Sequence, residues 1–347
     1  MQKINIEAQG EAQVVPQTGL VDAAIASSSH PSLLGQQIQP SEGELRCFER
    51  CFRQDDPVYL KDHQLYQTVL VPAAAYLSMA LLAGIETLGT HKLVLEDVVI
   101  YQALPIFTSS DSKLIHTALK VTDEAAYSFE ISSENDSSQP EALWQLHASG
   151  TIQVRQPSTF RHLIELSNLS STETAPDLAA YSEQTLCSTK ELSVPQFYQK
   201  MRACGFFYGP QFQAITRLCD RQTGILGEVQ LPTHLATDAE SQIVHPVLLD
   251  ACLQVLGTQL PEIDTQDAYL PVGLDRMEIF DRLGSRLLVD LQKMYSRDEK
   301  GNCLSANINL ITAEGKLIAQ LEGVTFRKVS RRVLEWRLKK IQKRMKG

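Results

Sequence analysis

The chain has 347 residues, of which 43% are hydrophobic and 21% charged, the proportions of a globular protein long enough to bury a core without metal or disulfide staples. Its 41 acidic residues outnumber 32 basic ones, for a net charge of -9, which argues against nucleic-acid binding. No apolar run reaches the roughly 18 residues of a membrane span, and the N-terminus shows no basic stretch leading into an apolar core, so neither a membrane anchor nor a secretory leader is expected.

The length fits two domains or one domain of two similar halves. Seven cysteines, scattered and odd in number, fit reduced thiols in a cytoplasmic protein. Cys47 and Cys51 form a CxxxC, but no second ligand pair follows at the spacing of a zinc site.

In chain order, residues 1–29 are polar and without sustained period, and read as a linker or arm. Residues 30–155 form a first half. Within it, Pro72 opens LVPAAAYLSMALL, apolar on nearly every side, as a helix buried all round must be. LEDVVIYQALPIF follows, and then alternating apolar and polar residues predict a strand meander through LIHTALKVTD, YSFEISSE and LWQLHASGTIQV. The stretch 156–187, rich in Ser, Thr and Pro, reads as a connector.

The second half, 188–328, repeats the first. IVHPVLLDACLQVL is its buried helix, opened by Pro246. GLDRMEIFDRL and strands in RLLVDLQKMYSR, LSANINLITAEG and KLIAQLEGVTFRKV follow, with turns at Glu299–Asn302 and Ala313–Gly315. Two such units predict an α+β fold of two antiparallel sheets, each wrapped around its central helix and joined side by side. The last segment, 329–347, is basic and amphipathic and reads as a helix leading out of the domain.

Three groups of residues carry chemistry. His63 lies nine positions before Pro72, at a strand end or on the loop entering the first buried helix, where a neutral imidazole is able to act as a base near pH 7. Asp250 sits inside the second buried helix. Burial there costs several kcal/mol unless the carboxyl is bonded or protonated, and it raises the carboxyl's proton affinity, which suits a general acid. Gln254, four residues on, shares its face. Aligning the two prolines sets Tyr76 opposite Asp250, so the halves have diverged. Finally, a helix capped by Ser193 and stopped by Gly205 leads into GFFYGPQF, whose Gly209-Pro210 turn presents Tyr208 to a substrate oxygen.

Taken together, these motifs resemble the dehydratase domain of modular type I polyketide synthases, a double hot-dog fold, over about residues 30 to 330. HxxxGxxxxP matches at His63 and Pro72, GYxYGPxF at Gly205, Tyr208, Gly209, Pro210 and Phe212, and DxxxQ/H at Asp250 and Gln254. Three departures stand out: Gln67 replaces the glycine of the first motif, Phe206 replaces a tyrosine, and Leu270-Pro271-Val272-Gly273 stands where the family has LPFS.

The resemblance implies dehydration of a β-hydroxyacyl thioester, presented on the phosphopantetheine arm of an acyl carrier protein, to a trans α,β-unsaturated thioester. His63 is then the base, Asp250 the acid, Gln254 its orienting partner and Tyr208 a hydroxyl ligand. Gln67, Pro72, Gly209, Pro210, Leu270 and Pro271 are expected to contact substrate. The resemblance also implies no metal or redox cofactor, neighbouring synthase domains as partners, and a homodimer. The same dyad also fits a double-bond isomerase or a cyclase, and the fold also fits a catalytically silent scaffold domain or a hot-dog thioester hydrolase.

Overall fold

The computed structural model describes residues 32–38, 45–123, 126–134, 144–155, 190–221, 223–261 and 267–344. The expected N-terminal arm and the connector 156–187 lie outside these residues. In the first half the strands are β1 (Gln36–Ile38), β2 (Leu45–Phe52), β3 (His63–Leu65), β4 (Thr68–Leu70), β5 (Leu93–Ile100), β6 (Pro105–Ile106), β7 (Lys113–Asp123), β8 (Ala126–Glu134) and β9 (Trp144–Val154). Helix α1 (Ala73–Leu88) lies between β4 and β5. In the second half they are β10 (Lys190–Leu192), β11 (Phe206–Tyr208), β12 (Ile215–Arg221), β13 (Gly224–Gln230), β14 (Asp267–Ile279), β15 (Arg286–Gln292), β16 (Tyr295–Ser296), β17 (Cys303–Ile311) and β18 (Leu317–Ser330). Its helices are α2 (Val194–Ala203), α3 (Thr233–Ser241), α4 (Pro246–Gln254) and α5 (Arg331–Arg344).

Each half is an antiparallel sheet wrapped on an apolar helix, as the alternating strands require. In β7 the inward Ile115, Thr117 and Leu119 are buried while their neighbours are half-buried or exposed. Small residues let the sheet close on α1: a Cβ on Gly84 would stand 2.2 Å from Ile152 Cδ1. Helix α1 stops at Gly89, left-handed at φ 67°, whose N–H returns to the Ile85 carbonyl. Every residue of α4 is buried. Such helices are stable only because the sheet removes their apolar surface from water, at roughly 25 cal/mol per Å².

The two sheets join edge to edge. Strands β5 and β14 pair antiparallel, from Gly273 opposite Val99 to Glu278 opposite Val94, giving one 14-stranded sheet in the order β1-β2-β7-β8-β9-β5-β14-β18-β17-β15-β13-β12-β10, with β16 paired to β17 off this path. Glu96 and Arg276 form an ion pair across this seam, and Arg276 also reaches Glu278. Helices α1 and α4 pack against each other over the concave face. A separate small sheet, β11-β3-β4-β6, lies beside them and carries His63.

The C-terminal helix corrects one expectation. Instead of leading away, α5 turns back onto the domain. Leu334 is buried, Leu338 packs against the core, and the Arg331 guanidinium lies 5.1 Å from the centre of the Tyr66 ring. Its apolar residues at helical spacing found a partner within the chain.

Candidate active site

His63 opens β3, and two backbone features fix its ring. Strand β3 pairs with β11 so that Tyr208 stands directly opposite His63, side chains on one face. The His63 Nδ1–H donates to the Leu70 carbonyl at 2.8 Å. A carbonyl only accepts, so Nδ1 carries a proton, and in the neutral ring it is Nε2 that offers its lone pair. Phe212 and Tyr208 flank the ring, at 5.0 and 5.7 Å between centroids.

That free Nε2 faces the Asp250 Oδ1 at 3.9 Å. Asp250 comes from α4, and the other half has placed it opposite His63 through the packing of α1 on α4. Its second oxygen accepts from the Gln254 amide at 2.8 Å, and the same amide also donates to the Phe212 carbonyl at 3.0 Å. The i, i+4 spacing brings acid and amide together. Burial pushes the Asp250 proton affinity up, against the opposing pull of His63 and the Gln254 hydrogen bond. Burial, with Asp250 and Tyr198 nearby, likewise holds the Tyr208 phenol well above its usual value, so it stays a hydrogen-bond donor.

His63, Tyr208, Asp250 and Gln254 line one cavity of about 1180 Å³. Leu65, Leu70, Met201, Phe206, Leu253 and Leu260 supply much of its apolar wall, and Leu270 and Pro271 of β14 also line it. A base beside a carboxyl whose proton affinity is raised can take a proton from one carbon and, once the carboxyl is protonated, expel a hydroxyl from the next. Groups of His, Cys, Asp and Glu arranged to hold a metal ion are absent among the described residues.

The other four expected substrate contacts lie outside the cavity wall, each for a local reason. Pro72 is buried as the N-cap of α1. Gly209 and Pro210 shape the turn behind Tyr208: Gly209 lies so close to Asp62 that a Cβ would stand 2.4 Å from its Cγ, and Pro210 is exposed. Gln67 is exposed at the tip of the β3–β4 hairpin. Leu65 pairs with Thr68, leaving Tyr66 and Gln67 as a two-residue turn with φ of 47° and 63°. Both positions are left-handed, as a primed turn requires, which explains a glycine in the family motif. The Tyr66 N–H donates to the Gly205 carbonyl at 2.8 Å and helps hold the turn in place. Gln67→Gly is therefore expected to stabilise the protein by about 1 kcal/mol, read as a raised midpoint in denaturant, by removing left-handed strain from a bulky residue.

Two parts of the site went unread in the sequence. Asp62 stands beside the base in the sequence, but only its contacts with the 209–213 turn tie it to the site. The wall supplied by α5 also went unread: Val333, Leu334, Trp336, Arg337, Lys340 and Ile341 line the same cavity. The signal was there in the apolar spacing of that helix, but spacing does not say which surface it meets.

Comparison with known proteins shows the family and the fold. Residues 30–134 match the family model for the polyketide synthase dehydratase domain, and residues 176–335 match the one described as polyketide synthase dehydratase N-terminal domain. A highly reducing polyketide synthase of Pyrenophora dematioidea is 26% identical over 87% of this chain, and polyketide synthase GfsE of Streptomyces halstedii is 24% identical over 90%. The chain spans 12% and 8% of these two proteins. Among solved structures, an inactive mutant of the CurK dehydratase is similar at 31% identity and a TM-score of 0.69, covering 87% of this chain and 99% of that one. The dehydratase domain from the CurF module of curacin polyketide synthase is similar at 29% identity and 0.71, covering 88% and 99%. Two inactive CurK mutants carry Asn in place of an aspartate and Phe in place of a histidine, respectively.

Proposed function

Since the chain belongs to the polyketide synthase dehydratase family, with its double hot-dog fold, we propose that it removes water from a β-hydroxyacyl thioester during polyketide chain extension, and that His63 and Asp250 carry the reaction. The thioester carbonyl acidifies the α-carbon. His63 Nε2 takes the α-proton, the C–H electrons form the Cα–Cβ double bond, and the Cβ–O bond breaks. Asp250 gives its proton to the departing hydroxyl, which leaves as water. The product is a trans α,β-unsaturated thioester, and passage of a proton from His63 back to Asp250 resets the site.

Gln254 holds the Asp250 carboxyl, and the Tyr208 hydroxyl bonds the leaving oxygen. Backbone N–H groups at the start of α1, where Ala73 lines the cavity, receive the developing enolate charge. Leu270 and Pro271 contact the acyl chain. This chemistry calls for no metal or redox cofactor, because the thioester itself supplies the electron sink. One observation carries the reading: a histidine nitrogen with its lone pair free, 3.9 Å from a carboxyl whose proton affinity burial raises. The two inactive CurK mutants, altered at one aspartate and one histidine, support the same pair of roles.

The substrate arrives on the phosphopantetheine arm of an acyl carrier protein, and further synthase domains flank this one. The low share of each synthase relative that the chain spans supports this. The proposal extends to a homodimer and to the cytoplasm, a setting that suits the free thiols of the described cysteines. The test is incubation with a β-hydroxyacyl pantetheine thioester, followed by mass spectrometry. Loss of one water supports the reading. An unchanged mass with a moved double bond would indicate an isomerase, free acid a hydrolase, and unaltered substrate a silent scaffold.

A further inference from the structure

The 209–213 turn lies against the His63 ring through Phe212 and is linked to Asp250 through Gln254. On one side it is fastened to Asp62. The Gly209 N–H donates to the Asp62 carbonyl at 2.7 Å, and the Gln211 N–H donates to the Asp62 carboxylate at 3.0 Å. On the other side, the Phe212 carbonyl takes the Gln254 amide that also holds Asp250. The turn is itself tight: the Phe212 and Gln213 N–H groups both donate to the Gly209 carbonyl. The Gln213 side chain closes it onto the Tyr208 carbonyl at 2.8 Å, and the Gln211 side chain ties it to the Val58 carbonyl at 3.2 Å.

A continuous hydrogen-bonded path therefore runs from the residue beside the base, through one turn, to the residue that holds the acid. His63 and Asp250 belong to different halves. The path adds to the backbone pairing of β3 with β11, which already joins the strand of the base to the second half.

We infer that Asp62 is a positioning residue, whose carboxylate grips the Gly209–Gln213 turn and through it sets the gap between His63 and Asp250. The inference rests on the dehydration reading for its kinetic consequence, but not for its geometric one. Gly209 fits this role, since any side chain there would displace the carboxylate that grips the turn. A carboxylate accepting a backbone N–H is a charge-assisted bond, stronger than a neutral one. An asparagine in its place still offers an oxygen to the Gln211 N–H.

The test compares Asp62→Ala with Asp62→Asn. A misplacement of about 1 Å at a reacting group costs up to about a hundredfold in rate. Asp62→Ala is expected to lower kcat about tenfold to a hundredfold, with KM within about twofold, because no substrate contact is lost. Asp62→Asn is expected to recover most of that loss. A second readout needs no turnover. With Asp62 in place, Asp250→Asn shifts the NMR signal of the His63 ring; in Asp62→Ala that response weakens as the gap loosens.

An unchanged kcat in Asp62→Ala, an equal loss in Asp62→Asn, or an undiminished NMR response would overturn the inference. Wild-type protein that leaves the thioester untouched would overturn the proposed function, while the NMR comparison still decides the role of Asp62. If Asp62→Ala fails to fold, Asp62→Glu, which keeps the charge but overshoots the turn, makes the same comparison.

Discussion

Asp250→Asn is expected to lower the dehydration rate by about a hundredfold to ten-thousandfold, the usual worth of a positioned general acid, while making the protein more stable at neutral pH. The two effects have one cause. Burial raises the Asp250 pKa in the folded state above its ordinary value of 3.8. A raised folded pKa means the group favours folding most below the unfolded value, and that contribution is lost as pH rises through the folded value. At pH 7 the buried carboxyl is therefore a burden that asparagine does not carry. Thermal melts of both proteins should show the variant ahead at neutral pH and the margin closing as pH falls towards 3.8. The amide keeps the shape and still accepts from Gln254, so a drop in activity cannot be assigned to lost packing. His63→Ala should show a comparable loss of rate. Because the two groups serve one elimination as a unit, the double variant should fall little below either single one. Rates that multiply, or an Asp250→Asn enzyme that still turns over at wild-type speed, would sink the assignment.

The second large effect lies at the seam. Gly273 pairs with Val99 where β14 meets β5, and a Cβ there would stand 2.2 Å from the Val98 carbonyl oxygen. That oxygen is backbone within a strand and has nowhere to move. Gly273→Val is expected to destabilise the protein by about 3 kcal/mol, through overpacking where the two halves meet. In a protein of this size that corresponds to a melting point lower by roughly 4 °C. Activity should fall at temperatures where the variant is still folded, because the seam joins the half that carries His63 to the half that carries Asp250. A variant that melts like the wild type, or that loses stability without losing activity, would show that the halves are registered elsewhere, for instance by the α1–α4 contact.

Much of this was legible beforehand because the signals were local and periodic. Pro72 and Pro246 mark two helix starts, and α1 and α4 follow them. The meander strands β7, β8, β9, β15, β17 and β18 were announced by period-two alternation. The spacing of Asp250 and Gln254 delivered their hydrogen bond. The strands around LRCFERCF, ITRLCDR and GILGEVQ, and helix α3, were not read, since those runs are short and their pattern is broken by charged or glycine residues. The role of Gln67 was misplaced for a different reason. A glycine in a motif signals a backbone need, but that need is either the conformation of a hairpin or the approach of a ligand, and only the pairing of Leu65 with Thr68 decides between them. The closure of the site by α5 depends on where a helix lands, which spacing does not encode.

The duplication has a bearing on how many reactions one chain performs. Laid over each other by their prolines, the two helices set Tyr76 against Asp250, and nine residues before Pro246 stands Thr237, exposed within α3, where the first copy has His63. The mirror-image station thus lacks both the imidazole and the carboxyl at the matching positions. Tyr76 stacks there on His147, whose Nε2 meets the Ser133 hydroxyl at 2.8 Å. Two identical lobes would have supplied a pair of equivalent reaction centres. In one polypeptide the second helix start is free to differ, and Tyr76, stacked on His147, lines the single cavity of His63 and Asp250 rather than a second one.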